Sequence, residues 1–301
     1  MTQYQTNKTR KNNKPKVVAI VGPTASGKTD FAVEYALFNN GEIISADSRL
    51  VYKGFDITCA KPTIKERQGI PHYMIDVAEP EFDYSAGLYA KEAKKIIYEI
   101  SAKGKLPIVT GGTGLYIRLL LENYSMPEVK PNMEIRKQLQ ELSTKELYER
   151  LKSIDVEGAT SIEKNDKKKL IRAIEIVQTT GKPLNETRGI KPNKEFDVEW
   201  IGLNYPRAEL YERINKRVEL MLEKGMIEET KSLLEKHGRI QNLISTIGYQ
   251  EIIMYLDGVL PLDEAVEKLK QNTRRYAKRQ LTWFRKNKDI KWNYPPETLK
   301  K

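Results

Sequence analysis

Cysteine is almost missing from this chain. Cys59 stands alone among 301 residues, so no internal disulfide and no cysteine-built zinc site can form. Cys59 itself reads as a small packing residue rather than a nucleophile. Only two histidines occur, His72 and His237, too few for a histidine-rich metal site; both read as polar surface or partly buried residues. No apolar run approaches the ~20 residues that a membrane span needs, and the polar, basic stretch Met1–Lys14 does not resemble a secretory signal. A cytoplasmic location, no membrane partner and a disordered tail over residues 1–15 are the expectations. No Asn-Lys-x-Asp element is present, which disfavours a guanine-specific switch, and no internal repeat is visible. Acidic residues are in deficit, 41 against 52 Lys plus Arg, for a net charge of +11. That excess suits a polyanionic partner, but a solvated basic surface has the same count, so position must decide. With 39% hydrophobic and 31% charged residues, the chain has room for one large domain or two unequal ones with a sizeable core.

What is present begins with Gly22, Pro23, Thr24, Ala25, Ser26, Gly27, Lys28 and Thr29, after the apolar run Val17–Val21 and before helical apolar spacing at Phe31, Tyr35 and Phe38. A strand-to-helix turn of this composition is a phosphate loop. Its glycines let backbone N–H groups turn around an anion, the helix adds its positive end, Lys28 brings a mobile charge, and the Thr29 hydroxyl can reach a magnesium ion. A diphosphate or polyphosphate ligand is implied.

Further along, Glu42–Ser45 predicts a second strand with Asp47 just past its C-terminal end, where open α/β sheets collect their ligands. Tyr73–Ile75 predicts a third strand ending at Asp76. A helix capped by Ser85 has the apolar face Tyr89, Ala93, Ile96, Ile97 and Ile100 and stops at Gly104. Leu106–Val109 predicts a fourth strand, opening into Gly111-Gly112-Thr113-Gly114 and a helix through Leu121. Strand and helix alternate, as in a parallel, doubly wound sheet. From Ser125 to Lys194 the pattern turns helical, with segments at 132–142, 144–153 and 167–179 and a capping box in Ser143 and Glu146; no strand is expected before the return strand Val198–Leu203. Beyond Pro206, an amphipathic helix has Arg213 and Arg217 one turn apart. Another spans 226–236, and a long basic helix, 262–287, closes the chain.

A phosphate loop alone is compatible with a small-molecule kinase or ATPase, for which Asp76 is an available magnesium carboxylate. Two features point elsewhere. The turn Gly111–Gly114, with the first loop and Asp47, surrounds one point at the sheet edge with anion donors, a hydroxyl and a carboxylate. In Thr273–Arg285, Lys278 and Arg285 share one side of the helix with Arg275, Arg279 and Lys286 beside them, while Tyr276, Leu281 and Phe284 can face inward. The arginines and aromatics there tilt the reading toward RNA, and an RNA-binding protein with an idle phosphate loop is a third possibility.

These residues carry a resemblance. Gly22–Thr29, Ser45-Ala46-Asp47-Ser48, Val51–Ile57, Ala60-Lys61-Pro62, Gly111–Tyr116, Gly248-Tyr249 and Lys278-Arg279-Gln280 through Trp283 and Arg285 resemble, in order and spacing from Lys16 to Trp292, the tRNA dimethylallyltransferases, also called tRNA isopentenyltransferases. The resemblance implies an α/β fold: a P-loop NTPase-like parallel sheet core (16–124 and 195–301, with the C-terminal basic helices) and an inserted all-helical domain (125–194) that contacts tRNA. It implies transfer of a dimethylallyl group from dimethylallyl diphosphate to the exocyclic N6 amine of the adenosine 3′-adjacent to the anticodon. Asp47 would be the general base, Thr113 would help position the reacting groups, and Lys28 and Arg217 would stabilise the departing diphosphate held by Gly22–Thr29. Thr29 would hold Mg2+. Contacts to the anticodon stem-loop would come from Asp47, Ser48, Arg49 and Leu50; from Thr113 and Arg136; from Lys168, Lys169, Leu170, Ile171 and Arg172; from Ser245, Thr246, Ile247, Gly248, Tyr249 and Gln250; and from Lys278, Arg279, Gln280, Leu281, Thr282, Trp283, Phe284 and Arg285. A monomer is expected.

Overall fold

The computed structural model describes residues 14–122, 124, 125, 127, 129–190 and 195–293. In chain order they form β1 (Lys16–Val21), α1 (Lys28–Phe38), β2 (Gly41–Ser45), β3 (His72–Tyr73), α2 (Ala86–Ala102), β4 (Leu106–Gly111), α3 (Gly114–Leu121), β5 (Tyr124–Ser125), α4 (Met133–Gln140), α5 (Thr144–Ile154), α6 (Val156–Thr160), α7 (Lys167–Thr180), α8 (Leu184–Thr187), β6 (Gly189–Ile190), β7 (Asp197–Leu203), α9 (Arg207–Glu223), α10 (Met226–His237), α11 (Gln241–Ile244), α12 (Tyr249–Leu256), α13 (Leu262–Phe284) and β8 (Lys291–Asn293). Contacts divide the chain into two compact units, one running to Ile117 and resuming at Glu195, the other Arg118–Lys194.

The first unit is built on a six-stranded sheet in the order β3-β2-β4-β1-β7-β8, every pair parallel. This is the expected P-loop-like α/β core. β1 has five successive buried residues because helices cover both sheet faces, so neither side of the strand meets water. On one face Ala32, Val33 and Ala36 of α1 pack on Val18, Ile20, Ile43 and Ile108. The sequence placed that helix by Phe31, Tyr35 and Phe38, but Phe38 is 89% exposed; small residues form the contact, letting α1 lie close to the sheet. α2 packs through Tyr89, Ala93, Ile97 and Ile100, and Tyr89 stacks on Tyr116 with ring centroids 4.1 Å apart. Its expected cap is present, Ser85 accepting from Leu88 N.

Register sets the site. Val21 pairs with Gly111 on one side and Gly202 on the other, and Ser45 pairs with Thr110. The segments after β1, β2, β4 and β7 therefore leave the sheet along one edge. Between β1 and β4 the winding reverses, and such a switch point opens a crevice at the strand C-termini.

Some local expectations need correction. β3 covers only His72–Tyr73, because Met74 and Asp76 take positive φ (63° and 56°) and turn the chain out of the strand. α13 stops at Phe284 rather than Asn287. The tail expected over 1–15 lies outside the described residues except 14 and 15, where the Pro15 carbonyl accepts from Asp197 N.

The second unit has its own core, with Leu139, Leu147, Leu151, Leu170, Ala173, Ile174 and Val177 buried among α4, α5 and α7. Its contact boundary lies at Arg118, where the composition break stood at 125. The Ser143–Glu146 capping box forms in full. Asp155 caps α6 through Gly158 N (2.8 Å) and holds Leu184 N of α8 (2.8 Å) with its second oxygen. The unit is not all-helical: β5 and β6 pair antiparallel as Tyr124 with Ile190 and Ser125 with Gly189. Two residues per strand are too few for any periodic signal.

Candidate active site

The P-loop follows β1 with the anticipated geometry. Gly27 ends it in the left-handed region (φ 77°) as the N-cap of α1, and Ala25 is left-handed too (φ 62°). Gly22 passes so close to β7 that a Cβ would stand 2.2 Å from the Leu203 carbonyl oxygen. Lys28 curls over the loop and donates to the Pro23 carbonyl at 2.5 Å. From α9, Arg213 donates to the Ala25 carbonyl at 2.9 Å, stacked over Tyr205.

The β2 exit and the second glycine turn are sewn together. Ala46 N donates to Thr110 O (2.7 Å) and Thr113 N to Ala46 O (3.1 Å). The Thr113 hydroxyl accepts from Ser48 N (2.9 Å). A Cβ at Gly111 would lie 2.2 Å from the Ala46 carbonyl oxygen, so only glycine lets the two backbones approach this closely. Asp47 then turns on itself, its Oδ1 accepting from Arg49 N at 2.8 Å.

One side chain joins the two glycine loops. Gln280 of α13, only 6% exposed, accepts from Thr24 N (2.8 Å) through Oε1 and donates to the Gly112 carbonyl (2.9 Å) through Nε2. Thr24 N, one of the amides expected to face an anion, is thus satisfied by a side chain. Trp283, one turn on, covers Gly114, where a Cβ would stand 2.2 Å from the indole.

These parts line a cavity of about 580 Å³ within the first unit. Thr24, Lys28, Thr29, Asp47 and Arg217 form its polar wall, and Ile214, Val218, Met221, Met226 and Leu269 an apolar one. Burial lowers the Lys28 ammonium to about 7, the Arg217 guanidinium adding to the effect and the Asp47 carboxylate opposing it. Arg217 is likewise lowered by burial, against the pull of Asp47. Two cations, both only partly exposed, face this cavity and favour an anionic occupant that restores their charge balance. Tyr276, also on the wall, is pushed up to about 12 by burial and Asp47, so it stays a neutral hydroxyl. Burial, with Asp47 and Glu229 nearby, raises the Cys59 thiol, keeping this wall residue protonated and unreactive.

Of the anticipated catalytic set, Asp47, Lys28 and Arg217 line this cavity; Thr113 does not, but holds Ser48, the neighbour of Asp47. Ser48, Arg49, Leu50, Ser245, Thr246, Ile247, Gln250, Arg279 and Gln280 also line it. Asp76 does not: it pairs with Lys61, an ion pair that ties loop to loop. Several residues attributed to RNA contact have buried side chains. Tyr249 is fully enclosed and donates to Glu229, Phe284 packs inward, and Leu170 and Ile171 belong to the core of the second unit. In that unit Arg136 and Arg172 both close on Glu175, which is itself fully buried; Arg136 is bidentate at 2.9 and 3.0 Å. Burial raises the Glu175 carboxyl, but the bonds from Arg136, Arg172 and Asn132 N outweigh it and hold it low. Lys168 and Lys169 are exposed, the latter paired with Asp166 at 2.7 Å.

Sequence reasoning gave Glu229 no role and read His72 as a polar surface or partly buried residue, without placing it at the cavity. The Glu229 carboxylate gathers Ile57 N (2.6 Å), Thr58 N (3.0 Å) and the Tyr249 hydroxyl (2.8 Å), fixing the loop that brings Cys59 and Ala60 to the cavity. His72 lines the cavity with its Nδ1 against Ile70 O (2.8 Å). Neither sits in a motif, so only the fold reveals them. The second histidine, His237, lies against Glu81 at 2.5 Å.

Among proteins of known family, residues 50–287 match the family model described as IPP transferase. The tRNA dimethylallyltransferase of Pelotomaculum thermopropionicum is 45% identical over 286 residues, 93% of this chain and 91% of the relative. That of Bacillus velezensis is 45% identical over 289 residues, covering 94% and 91%. The full-length tRNA isopentenylpyrophosphate transferase of Bacillus halodurans superposes with a TM-score of 0.71 at 40% identity, over 93% of this chain and 90% of that one. A eukaryotic dimethylallyltransferase captured acting on tRNA superposes with a TM-score of 0.83 at 30% identity, over 95% and 75%.

Proposed function

Because this chain belongs to the IPP transferase family, we propose that it transfers the dimethylallyl group of dimethylallyl diphosphate to tRNA, at the N6 amine of the adenosine 3′-adjacent to the anticodon. The observation that carries the reading is the convergence of Lys28, Arg217 and Asp47 on one cavity that the apolar residues Ile214, Val218, Met221, Met226 and Leu269 also line. The amine nitrogen bonds to the allylic carbon, the carbon–oxygen bond to diphosphate breaks, and the nitrogen's proton passes to Asp47. An aryl-type amine is a weak nucleophile, so alignment and exclusion of water supply much of the rate. Negative charge grows on the departing diphosphate, where Lys28, Arg217 and loop amides meet it. The apolar wall, Val218, Met221 and Leu269, takes the prenyl tail. The adenosine leaves its stack to enter, at about a few kcal/mol.

Thr29, whose side chain lines the cavity next to Lys28, fits a magnesium ion held chiefly by substrate oxygens and water. The ion would neutralise diphosphate charge. No described helix is long and apolar enough to cross a membrane, and we place the enzyme in the cytoplasm with its RNA, acting as a monomer. The kinase or ATPase alternative loses its magnesium carboxylate, since Asp76 is engaged by Lys61.

Incubation with unmodified tRNA, labelled dimethylallyl diphosphate and magnesium is expected to put label in the RNA. Asp47→Asn should lower kcat by about 10²–10⁴ with tRNA affinity largely kept. Absence of label from the wild-type reaction overturns the reading.

A further inference from the structure

The lining of the reaction cavity is ordered along α9. Arg213 holds the P-loop through the Ala25 carbonyl at 2.9 Å, and the cavity-lining residues of the helix then follow as Ile214, Arg217, Val218 and Met221. Eight residues of α9 separate Arg213 from Met221, about 12 Å at 1.5 Å per residue, so this face leads away from the phosphate loop. Past the end of α9 the chain turns at Gly225 (φ 95°) and brings Met226, the first residue of α10, into the same lining. Met226 exposes no surface to water although it lines the cavity, so the cavity narrows against it.

The backing of Met226 is fixed. Val218, Met221, Met226 and Leu269 pack into one buried cluster with Ile252, which is not part of the lining, and Ile57 packs against that cluster. The Met226 methyl lies against Gly248. A Cβ there would stand 3.0 Å from Met226 Cε and 2.3 Å from Thr58 Cγ2, and the positive φ of 103° also favours glycine. Two carboxylates brace these segments. Glu229, about one turn along α10 from Met226, holds Ile57 N and Thr58 N at 2.6 and 3.0 Å. Glu251, fully buried, holds Gly248 N at 2.7 Å and the Asn272 side-chain amide at 2.7 Å.

We infer that Met226 is the stop that measures the prenyl chain and restricts the donor to a five-carbon diphosphate. The inference rests on the proposed function and adds to it the residue that sets donor length. With the diphosphate held at Lys28 and Arg217, one turn of α9, about 5.4 Å, carries the chain from Arg217 to Met221, and Met226 closes the space beyond. A donor longer by one isoprene unit has to displace a methionine packed on backbone and on a second layer of side chains, and close-packed interiors resist such insertion. The bonds made and broken are the same for either donor, so length alone is tested.

The test is a competition between dimethylallyl diphosphate and geranyl diphosphate for unmodified tRNA, with the two products separated by mass. The ratio of kcat/KM for the two donors does not depend on how much of a preparation is folded, so a destabilised variant still reports. Wild-type protein should transfer the five-carbon group almost exclusively. Met226→Ala should raise the geranyl-to-dimethylallyl ratio by at least about tenfold. Met226→Val should raise it less, and Met226→Leu, close in volume, should keep the wild-type ratio. Ile252→Val, in the same cluster but off the cavity, should lower the Tm and leave the ratio unchanged, which separates a stop from a loosened core. Wild-type transfer of geranyl at a rate near that of dimethylallyl, an unchanged ratio in both truncations, or an equal rise in Ile252→Val overturns the stop while leaving the proposed function standing. Wild-type protein that transfers neither group overturns the proposed function, and the stop with it.

Discussion

Replacing Gln280 with alanine separates two roles for one residue. By resemblance it belongs to the RNA-binding helix, whereas in the fold its amide is enclosed and joins the P-loop to the second glycine turn. Truncation leaves Thr24 N and Gly112 O without partners. A buried polar group so orphaned costs about 1–3 kcal/mol, and water entering from the cavity at Thr24 N relieves part of that. The expected total is about 2–4 kcal/mol, shared between global stability and the order of the P-loop. If about 1.4 kcal/mol falls on the loop, affinity for dimethylallyl diphosphate drops about tenfold. Gln280→Glu keeps the acceptor for Thr24 N but turns a carboxylate oxygen on the Gly112 carbonyl and sets a negative charge beside the diphosphate, so it should be worse than alanine for this substrate. The assay is steady-state kinetics with each substrate varied in turn, together with thermal unfolding. A higher KM for dimethylallyl diphosphate and a lower Tm, with RNA affinity nearly unchanged, is the expected pattern. Loss of RNA affinity alone, with the Tm and the diphosphate KM intact, refutes the clamp.

Two other perturbations follow from the geometry. Lys28 is lowered to about 7 in the ligand-free site, and a diphosphate favours its charged form, so affinity for dimethylallyl diphosphate should be full below about pH 7 and weaken above it, by up to about tenfold per pH unit; Lys28→Gln should bind weakly and without that pH dependence. The folded value lies below the ordinary 10.5, so between those limits the unfolded chain holds more protons, and this group makes the ligand-free protein more stable as pH rises from about 7 to 10.5. Glu175→Ala strands Arg136 and Arg172 around an empty centre; breaking a buried pair costs about 3–5 kcal/mol, tempered here because both arginines are partly exposed. Amide exchange should show α4 and α7 losing protection, and unchanged exchange there would remove the stabilising role given to Glu175.

The sequence alone determined the elements whose signal is local. The strand-to-helix P-loop, the alternation of strand and helix, the switch to helices beyond Ser125 and the capping box at Ser143 all depend on residues within a few positions of one another. So did the site's outline, because Asp47 and the Gly111–Gly114 turn follow predicted strands, and strand C-termini in a parallel sheet share an edge. Only the tertiary structure decided which side chains meet there. Asp76 looked like a carboxylate at a strand end, but a left-handed turn carries it to Lys61. Arg136 and Arg172 look like free RNA contacts until Glu175 is found buried between them. Gln280 sits 256 residues from Thr24, and no periodicity reports a hydrogen bond across that distance. Local patterns are set by backbone geometry that repeats every 2 or 3.6 residues, whereas pairing of buried polar groups is settled by burial itself, which the chain acquires only as it closes.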